Sequence, residues 1–515
     1  MGALIFSPGR GCPQEPRKGL TLLQAVGLTV SLQPNILMQR EQVQNQAGVL
    51  QQNTGKFDLA VKGSVEKKVE KTPLTKDQQE SYGNLITEYD QDTLTTTVGL
   101  EKQFRTGIKI GPNMKVYRSG SNLDNFFEFN TVPDNYSTFN FTLEVPLLKG
   151  FGQDVAGADE KAAGVNLEAT RLDLTQTVSQ SVLTTVQAYW SYLAAKKKLG
   201  IYRESEGSAS QLVDNLQQLV AAKENPVTDL VQSQASLAEK TALRISAEQQ
   251  LLEARKNLGL AMGLKSREVL ALPLPKDSYP EPLSGMTETL EGEKDKYLQL
   301  AEKYRADLLA LKEKEKAAQI LLVAAQKNLK PQLNAVLGLG YGGLQESGNF
   351  RDYLNAVNHN TVGLNYSAAL MFKYPLGNNT AEGVAGQKLA QRRQSHIQTV
   401  DLHRKIRANV LVTLEALKRY SAGLKKAREA VTLYRRGYTD ENLRFRMGMS
   451  TIIDLITVQN RLSTAMVTEV DSQLDYANAV IKLRYETGTL IVKEKEQYRV
   501  EMKRLIAIPD ANGAS

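Results

Sequence analysis

The sequence predicts an internally duplicated α+β protein in which strands of membrane-barrel length feed long helical hairpins. Three observations predict it. Asp229-Leu230, Gln234, Leu258 and Gly263 recur as Asp454-Leu455, Gln459, Leu483 and Gly488, all at one offset of about 225 residues. Each copy closes a long polar stretch of helical character. Each such stretch follows segments in which apolar and polar residues alternate.

The first element is a helix over 19–53, where Leu22, Val26, Val30 and Leu37 fall mostly three, four or seven apart. The period then changes to two over 57–62. The polar stretch 71–92 reads as a long loop. Segments 93–104 and 108–116 are strands joined by the turn Arg105-Thr106-Gly107, and 122–135 is a second long loop. In 137–145, Phe139, Phe141, Leu143 and Val145 oppose Thr138, Asn140, Thr142 and Glu144. The second half repeats the pattern in 333–341 and 364–374. Alternation alone suits either a transmembrane barrel or a soluble sandwich with one wet face. Long loops at one end, and tight turns or helices at the other, favour the outer-membrane barrel.

Proline is absent from about 154–223 and about 380–447, so each stretch predicts a helix of roughly 105 Å at 1.5 Å per residue. Leu174, Val178, Val182, Val186, Tyr189 and Leu193 form a narrow stripe on the first. Leu402, Ile406, Val410, Leu414 and Leu417 do so on the second. Shorter helices return over 227–262 and 450–494. At the first tip, Pro226 suits the first turn of the returning helix. At the second, Gly448 suits a C-cap and Ser450 an N-cap. The organisation follows: an N-terminal segment 1–18, a first repeat 19–263, a linker 264–295 rich in proline, a second repeat 296–495, and a mobile tail 496–515.

Composition narrows the function. No run approaches the ~18 apolar residues of a transmembrane helix. One cysteine, Cys12, and three histidines argue against a metal centre. His396 and His403, seven apart, suit a surface or interface role. The net charge of +8 invites a nucleic-acid reading, but 64 basic residues are interspersed with 56 acidic ones, the pattern of a solvated face. Gly338–Gly343 resembles a phosphate loop, yet no helix opens after it. The sequence offers no catalytic constellation, cofactor motif or metal site. Met1–Leu20 lacks the apolar core of a secretory signal. The start is either truncated, misassigned or processed, or disordered through Lys18. Gly11-Cys12 suggests acylation without the small apolar run expected before it.

Several motifs in order resemble the TolC family of outer-membrane efflux proteins across about 19–495. They are the strand-to-helix junction Val145-Pro146 through Gly150-Phe151-Gly152, its second copy Tyr374-Pro375-Leu376-Gly377-Asn378, Ala188-Tyr189-Trp190, and the hairpin sequences Val227–Leu230 and Gly448–Leu455. The resemblance implies a homotrimer that pools strands into one transmembrane β-barrel, continued by a long periplasmic α-helical barrel. It implies outer-membrane localisation, surrounding lipid, and partnership with a periplasmic adaptor and an inner-membrane pump, for efflux or type I secretion. The family plan has four strands per protomer. Here the extra pair 93–104 and 108–117 is either an extracellular hairpin or an enlargement of the barrel.

The resemblance also places a gate at the helix tips. Asp229 falls at a tip-linking acid and Asp454 at a ring acid, although Asp454 equally suits a first-turn helix acid. Phe445 stands where the family often has tyrosine, and Ser450 where it can have arginine. Phe445 lacks the hydroxyl and Ser450 the charge, so Arg444 or Arg446 is expected to hold the closed state. Asn225, Pro226, Gly448 and Met449 would face the adaptor. The unequal tips mark the second hairpin as the moving one. Two rival readings remain: a structural or adhesive coiled-coil surface protein without transport, and a soluble nucleic-acid-binding helical protein.

Overall fold

The computed structural model describes residues 19–122, 134–282, 292–347, 349–494 and 497–510. Cys12 and the expectations for the N-terminal segment lie outside them. The chain divides into two compact units. One draws on 45–168 and 312–397, the other on 1–44, 169–311 and 398–515. In chain order the elements are α1 (Leu22–Leu32), α2 (Pro34–Gly55), β1 (Leu59–Pro73), α3 (Lys76–Ser81), β2 (Glu88–Gln103), β3 (Lys109–Ser121) and β4 (Asp134–Pro146). Then come α4 (Gln153–Ala156), α5 (Ala158–Ala221), α6 (Val227–Ala261), α7 (Ser266–Leu270), α8 (Lys294–Tyr304) and α9 (Ala306–Lys327). They are followed by β5 (Gln332–Glu346), α10 (Phe350–Asn355), β6 (Val362–Lys373), α11 (Asn379–Arg446), α12 (Ile452–Glu486), β7 (Val492–Glu494), β8 (Gln497–Arg499) and α13 (Met502–Ile506).

The first unit is built on one six-stranded antiparallel sheet in the order β1-β2-β3-β4-β5-β6. The duplicated halves meet at β4 and β5, where Phe139 faces Tyr341 and Phe141 faces Leu339. Strands β1 and β2 reach well into the stretch 71–92 that reads from sequence as a loop. Cross-strand ion pairs carry the ladder through it, with Lys67 on Asp92 at 3.1 Å and Lys71 on Asp90 at 3.3 Å. Opposite charges directly across the ladder, as Lys71 and Asp90, or diagonal to one another, as Lys67 and Asp92, favour the sheet that the residues' low β-propensity opposes. The predicted extra pair is β2 and β3, and it lies inside the sheet.

The strand-to-helix junctions are fixed from several sides. The Arg105 guanidinium grips Glu160 with two bonds of 2.6 and 2.7 Å, and stacks over the Phe57 ring at 5.0 Å. The Gly152 N–H donates to the Thr106 carbonyl at 2.9 Å. Lys327 reaches Asp154 at 2.9 Å. In the second junction, which includes Gly377, the left-handed residue is Asn378, at φ +41, and its amide donates to the Leu329 carbonyl at 3.1 Å. Pro146 closes β4, while Pro375 is followed by the fully exposed Leu376. His396 pairs with Glu315 at 3.0 Å.

The second unit is helical. The predicted stripes are its cores. Val178, Val182, Val186, Tyr189 and Leu193 pack with α1, α6, the linker and the C-terminal residue Leu505. Ile406, Val410, Leu414 and Leu417 pack with α8 and α12. The Tyr189-Trp190 motif acts as an anchor. The Tyr189 hydroxyl lies 2.9 Å from the Leu20 carbonyl and 2.8 Å from the Asp277 carboxylate, and the Tyr279 hydroxyl donates to the Trp190 carbonyl at 3.0 Å. These bonds hold the proline-rich linker against the helices. His403 pairs with Glu302 at 3.0 Å.

Three expectations change here. The helix expected over 19–53 is two helices, broken at Gln33, and its counterpart in the second repeat, expected over about 295–328, is two helices broken at Arg305. Pro34 explains the first, because a residue before proline is driven out of the helical region. The second break has no proline. Its Arg305 is buried, donates to Glu486 at 2.7 Å and to Asp307 at 2.8 and 2.9 Å, and stacks on Tyr485 at 4.7 Å. The returning helix stops at Glu486, not 494, and a small β7–β8 hairpin follows. The tail predicted to be mobile packs through at least Pro509: Leu505 is buried, Arg484 donates to the carbonyls of Ala507 and Ile508, and Tyr297 donates to that of Pro509.

The repeated glycines explain the duplication. Gly263 and Gly488 sit at φ +77 and +69, just past the ends of α6 and α12. Leu264 N–H bonds back to Gly259, and Thr489 N–H to Arg484, which satisfies the orphan carbonyls of both ends. A Cβ on Gly263 would lie 2.6 Å from the Leu32 carbonyl oxygen, and one on Gly488 2.5 Å from the Tyr304 carbonyl carbon. Each glycine therefore presses on the break of its repeat's N-terminal helix. Gly488→Ala combines left-handed strain with backbone overlap. It should lower stability by about 2 kcal/mol or more, read as a fall in thermal midpoint. A second prediction concerns pH. The Arg105 guanidinium holds the Glu160 carboxyl below its ordinary 4.5. A depressed carboxyl stabilises the fold above the unfolded value and loses that contribution as pH falls through the depressed one. Acid unfolding of the wild type should therefore steepen below pH 4.5, and Glu160→Gln should flatten that segment of the curve.

Candidate functional site: the helix tips

The two tips obey the repeat offset residue by residue. Each descending helix ends in the same backbone motif. Glu224 N–H bonds to the Leu219 carbonyl and Met449 N–H to that of Arg444, both at 2.9 Å. The motif needs one left-handed residue. It is Lys223, at φ +65, in the first copy and Gly448, at φ +71, in the second. The returning helices then differ. The first has Pro226 at its N-cap, outside the first turn where the sequence placed it, with no side-chain cap. The second is capped by Thr451, one position past the predicted Ser450.

Asp454 completes that cap. Its N–H donates to Thr451 Oγ1 at 3.2 Å, and its carboxylate accepts from Thr451 Oγ1–H at 2.6 Å and from the Thr451 N–H at 3.4 Å. This reciprocal box satisfies two orphan donors of the helix. Asp229, its counterpart, accepts from the Asn225 amide at 3.3 Å. Both acids therefore sit at the positive ends of helix dipoles.

Phe445 points into an apolar cluster. Leu216, Ile452 and Ile456 are buried there, with Leu212, Leu219, Leu230 and Phe445 packed on them. The cluster joins all four helices of the two tips. Phe445 thus acts through burial between hairpins, where a tyrosine would act through its hydroxyl. Ser450 donates to the Glu441 carboxylate within its own hairpin. Among the described residues, neither the Arg444 nor the Arg446 guanidinium has a carboxylate within ion-pair distance. Val227 and Met449 expose apolar side chains at the tips.

Higher between the hairpins lies a polar contact that sequence reasoning missed. The Lys240 ammonium is buried and donates to the Asn460 amide oxygen. Burial pushes this lysine below its ordinary 10.5. Lys240 reads in the sequence as one more charge on a mixed helix, and no local pattern marks it as buried. Arg305 with its two carboxylates was missed for the same reason. No group of metal-binding side chains occurs among the described residues.

Residues 297–489 match the outer membrane efflux protein family. Over that stretch the chain is similar to outer membrane efflux proteins. The match spans the second repeat from α8 to just past the glycine that closes α12. The chain is also 23% identical over 317 residues to outer membrane protein TolC of Vibrio cholerae serotype O1, which covers 60% of the chain and 68% of that relative. Its fold is shared with solved outer-membrane channels. VceC from Vibrio cholerae superposes with a TM-score of 0.64 at 12% identity, over 91% of this chain and 96% of that one. CmeC of Campylobacter jejuni gives 0.63 at 14%, over 91% and 85%, and the open state of MtrE from Neisseria gonorrhoeae gives 0.60 at 12%, over 91% and 88%. Together these likenesses support an outer-membrane channel for efflux systems, and the rival readings as an adhesive coiled coil or a nucleic-acid binder fall away.

The tips yield one direct prediction. A non-glycine residue in the left-handed region costs about 1 kcal/mol. Lys223→Gly should therefore raise the thermal midpoint, and Gly448→Ala should lower it by a comparable amount.

Proposed function

We propose that three copies of the chain assemble into one conduit. It carries substrates passively from a periplasmic adaptor and an inner-membrane pump, through the outer membrane, to the exterior. The observation that carries this reading is the unpartnered surface of each unit. In the sheet, every residue of β1 and of β6 is exposed, Val61 and Leu370 among them at 73% and 71%. In the helical unit, Ile245, Leu252 and Leu260 on α6, and Val400, Val412 and Leu433 on α11, are exposed apolar side chains. Contiguous apolar surface of this kind marks burial against other chains or lipid. Sheet edges are intolerable in lipid unless paired.

The tips are the proposed gate. Moving the second hairpin away from the first would open the Phe445–Leu216–Ile452 cluster. The mobile element is then the better-capped hairpin, which can swing as a rigid body. Arg444 and Arg446, which meet no carboxylate among the described residues, are available to acids of a neighbouring copy. Copies of Asp454 around a threefold axis would add a local negative potential that favours cations. Val227, Met449 and the adjoining Asn225, Pro226 and Gly448 form the surface offered to the adaptor. Efflux is favoured over type I secretion because the second repeat matches the outer membrane efflux protein family.

Planar-bilayer recording of the purified protein tests the gate. Phe445→Ala empties part of the inter-hairpin cluster, worth about 2 kcal/mol, and should raise the closed-state conductance several-fold. Asp454→Asn keeps a cap acceptor while removing the charge. It should weaken cation block with little change in thermal midpoint. A Phe445→Ala channel as tight as wild type would refute the latch, and unaltered cation block in Asp454→Asn would refute the acid ring.

A further inference from the structure

The β2–β3 hairpin has no counterpart in the second repeat. The strand-bearing segment between Gly55 and Ala158 is about twice as long as that between Lys327 and Asn379. A hairpin added outside the membrane would be polar on both faces and would leave the sheet. This one does neither. Its residues continue the face pattern of β1, β4, β5 and β6 without a slip in register. Val98 lies opposite Met114, Met114 opposite Phe139, and Phe139 opposite Tyr341. Val61 lies opposite Leu100, and Ile110 opposite Leu143, which faces Leu337. One residue along, Thr97 lies opposite Lys115, Lys115 opposite Thr138, and Thr138 opposite Gly342. One apolar and one polar face therefore run across all six strands.

The two faces differ in what they hold and in their borders. On the polar side Lys62, Thr97, Lys109, Asn113, Thr142 and Glu144 line a single cavity. Charges border the apolar face: Lys102 towards the helix junctions, and the Lys67–Asp92 and Lys71–Asp90 pairs at the loop end. Such a band with charged margins suits lipid.

Both ends of the hairpin are tied in. Its tight turn sits at the strand-to-helix junctions, held by the Arg105–Glu160 pair and by Gly152 N–H on Thr106. Near its other end Tyr353, from the β5–β6 connection, donates to the Val116 carbonyl at 2.9 Å and lies 2.8 Å from Thr96 Oγ1. The hairpin is thus integral to the sheet from the junction level to the loop level.

We infer that β2 and β3 cross the outer membrane with the other four strands, so that a trimer closes a barrel of eighteen strands. This rests on the trimeric conduit proposed above. Strands spaced about 4.8 Å apart and tilted about 40° give a backbone diameter of about 36 Å for eighteen strands. The twelve strands of a four-strand protomer would give about 24 Å. The extra hairpin therefore widens the outer exit of the conduit by about half.

Spin labels on single cysteines, in a Cys12→Ser background in lipid bilayers, test the inference, with native mass spectrometry of the intact assembly counting subunits. Oxygen should relax a label at Val98→Cys several-fold more than a water-soluble nickel complex does, as for Leu370→Cys on β6. The order should reverse at Thr97→Cys. Met114→Cys and Lys115→Cys give the same comparison on β3 should a β2 variant fail to assemble. Three subunits together with lipid contact at Val98 and Met114 support eighteen strands. Water contact at Val98 and Met114, with lipid contact at Leu370, overturns the inference and leaves the conduit intact. Water contact at Leu370 as well overturns the membrane barrel itself, and a count other than three overturns the strand number.

Discussion

The structure depends on one constraint: backbone amides and carbonyls in lipid must be paired, because no water is there to receive them. Strands β1 to β6 satisfy one another internally and leave two open edges, on β1 and β6. A single sheet of six strands offers no closed interior. The edges can be satisfied only by other copies, and a ring of copies is the arrangement that leaves none open. The alternation of side chains follows from the same closure. Once the polar face turns inward, the residues between must meet lipid, and they are the valines, leucines and phenylalanines of the apolar face.

The helices answer a different demand. Rods of 64 and 68 residues span about 96 and 102 Å at 1.5 Å per residue. They remain in place only if packed along their length. The duplication supplies that packing twice, each time around a glycine that lets the end of a returning helix press on a break in another. The copies then diverge at their tips. One carries Lys223 and Pro226, strained and uncapped. The other carries Gly448 and Thr451, relaxed and boxed by Asp454. In the proposed gate that asymmetry is what would separate the hairpin that moves from the one that stays.

Much of this was legible in the sequence because it is periodic. The stripes Val178–Leu193 and Ile406–Leu417 are buried as their spacing requires, and five of the six strands were found within a few residues by alternation. What escaped was set by contacts distant in sequence. The break at Gln33 follows from Pro34, but the one at Arg305 arises from a buried guanidinium held by Glu486, far along the chain. The outer ends of β1 and β2, 71–73 and 88–92, looked like loop because lysines, glutamates and aspartates disfavour strands singly, whereas across a ladder they pair. The tail looked mobile because its sequence is short and small; the carbonyls that Arg484 and Tyr297 seize leave no local signature. The acids and Phe445 were singled out from the sequence at the tips. Their partners, Thr451 and Leu216, were not, since cap geometry and inter-hairpin packing appear only in three dimensions.

Hydrogen exchange of backbone amides in the assembled protein, in a mild detergent, tests edge closure most directly. The account predicts that amides along β1 and β6 exchange as slowly as those of β3 and β4, because each edge is bonded to a neighbouring copy. Rapid exchange along β1 and β6, with β3 and β4 protected, would contradict it and leave a sheet with open edges.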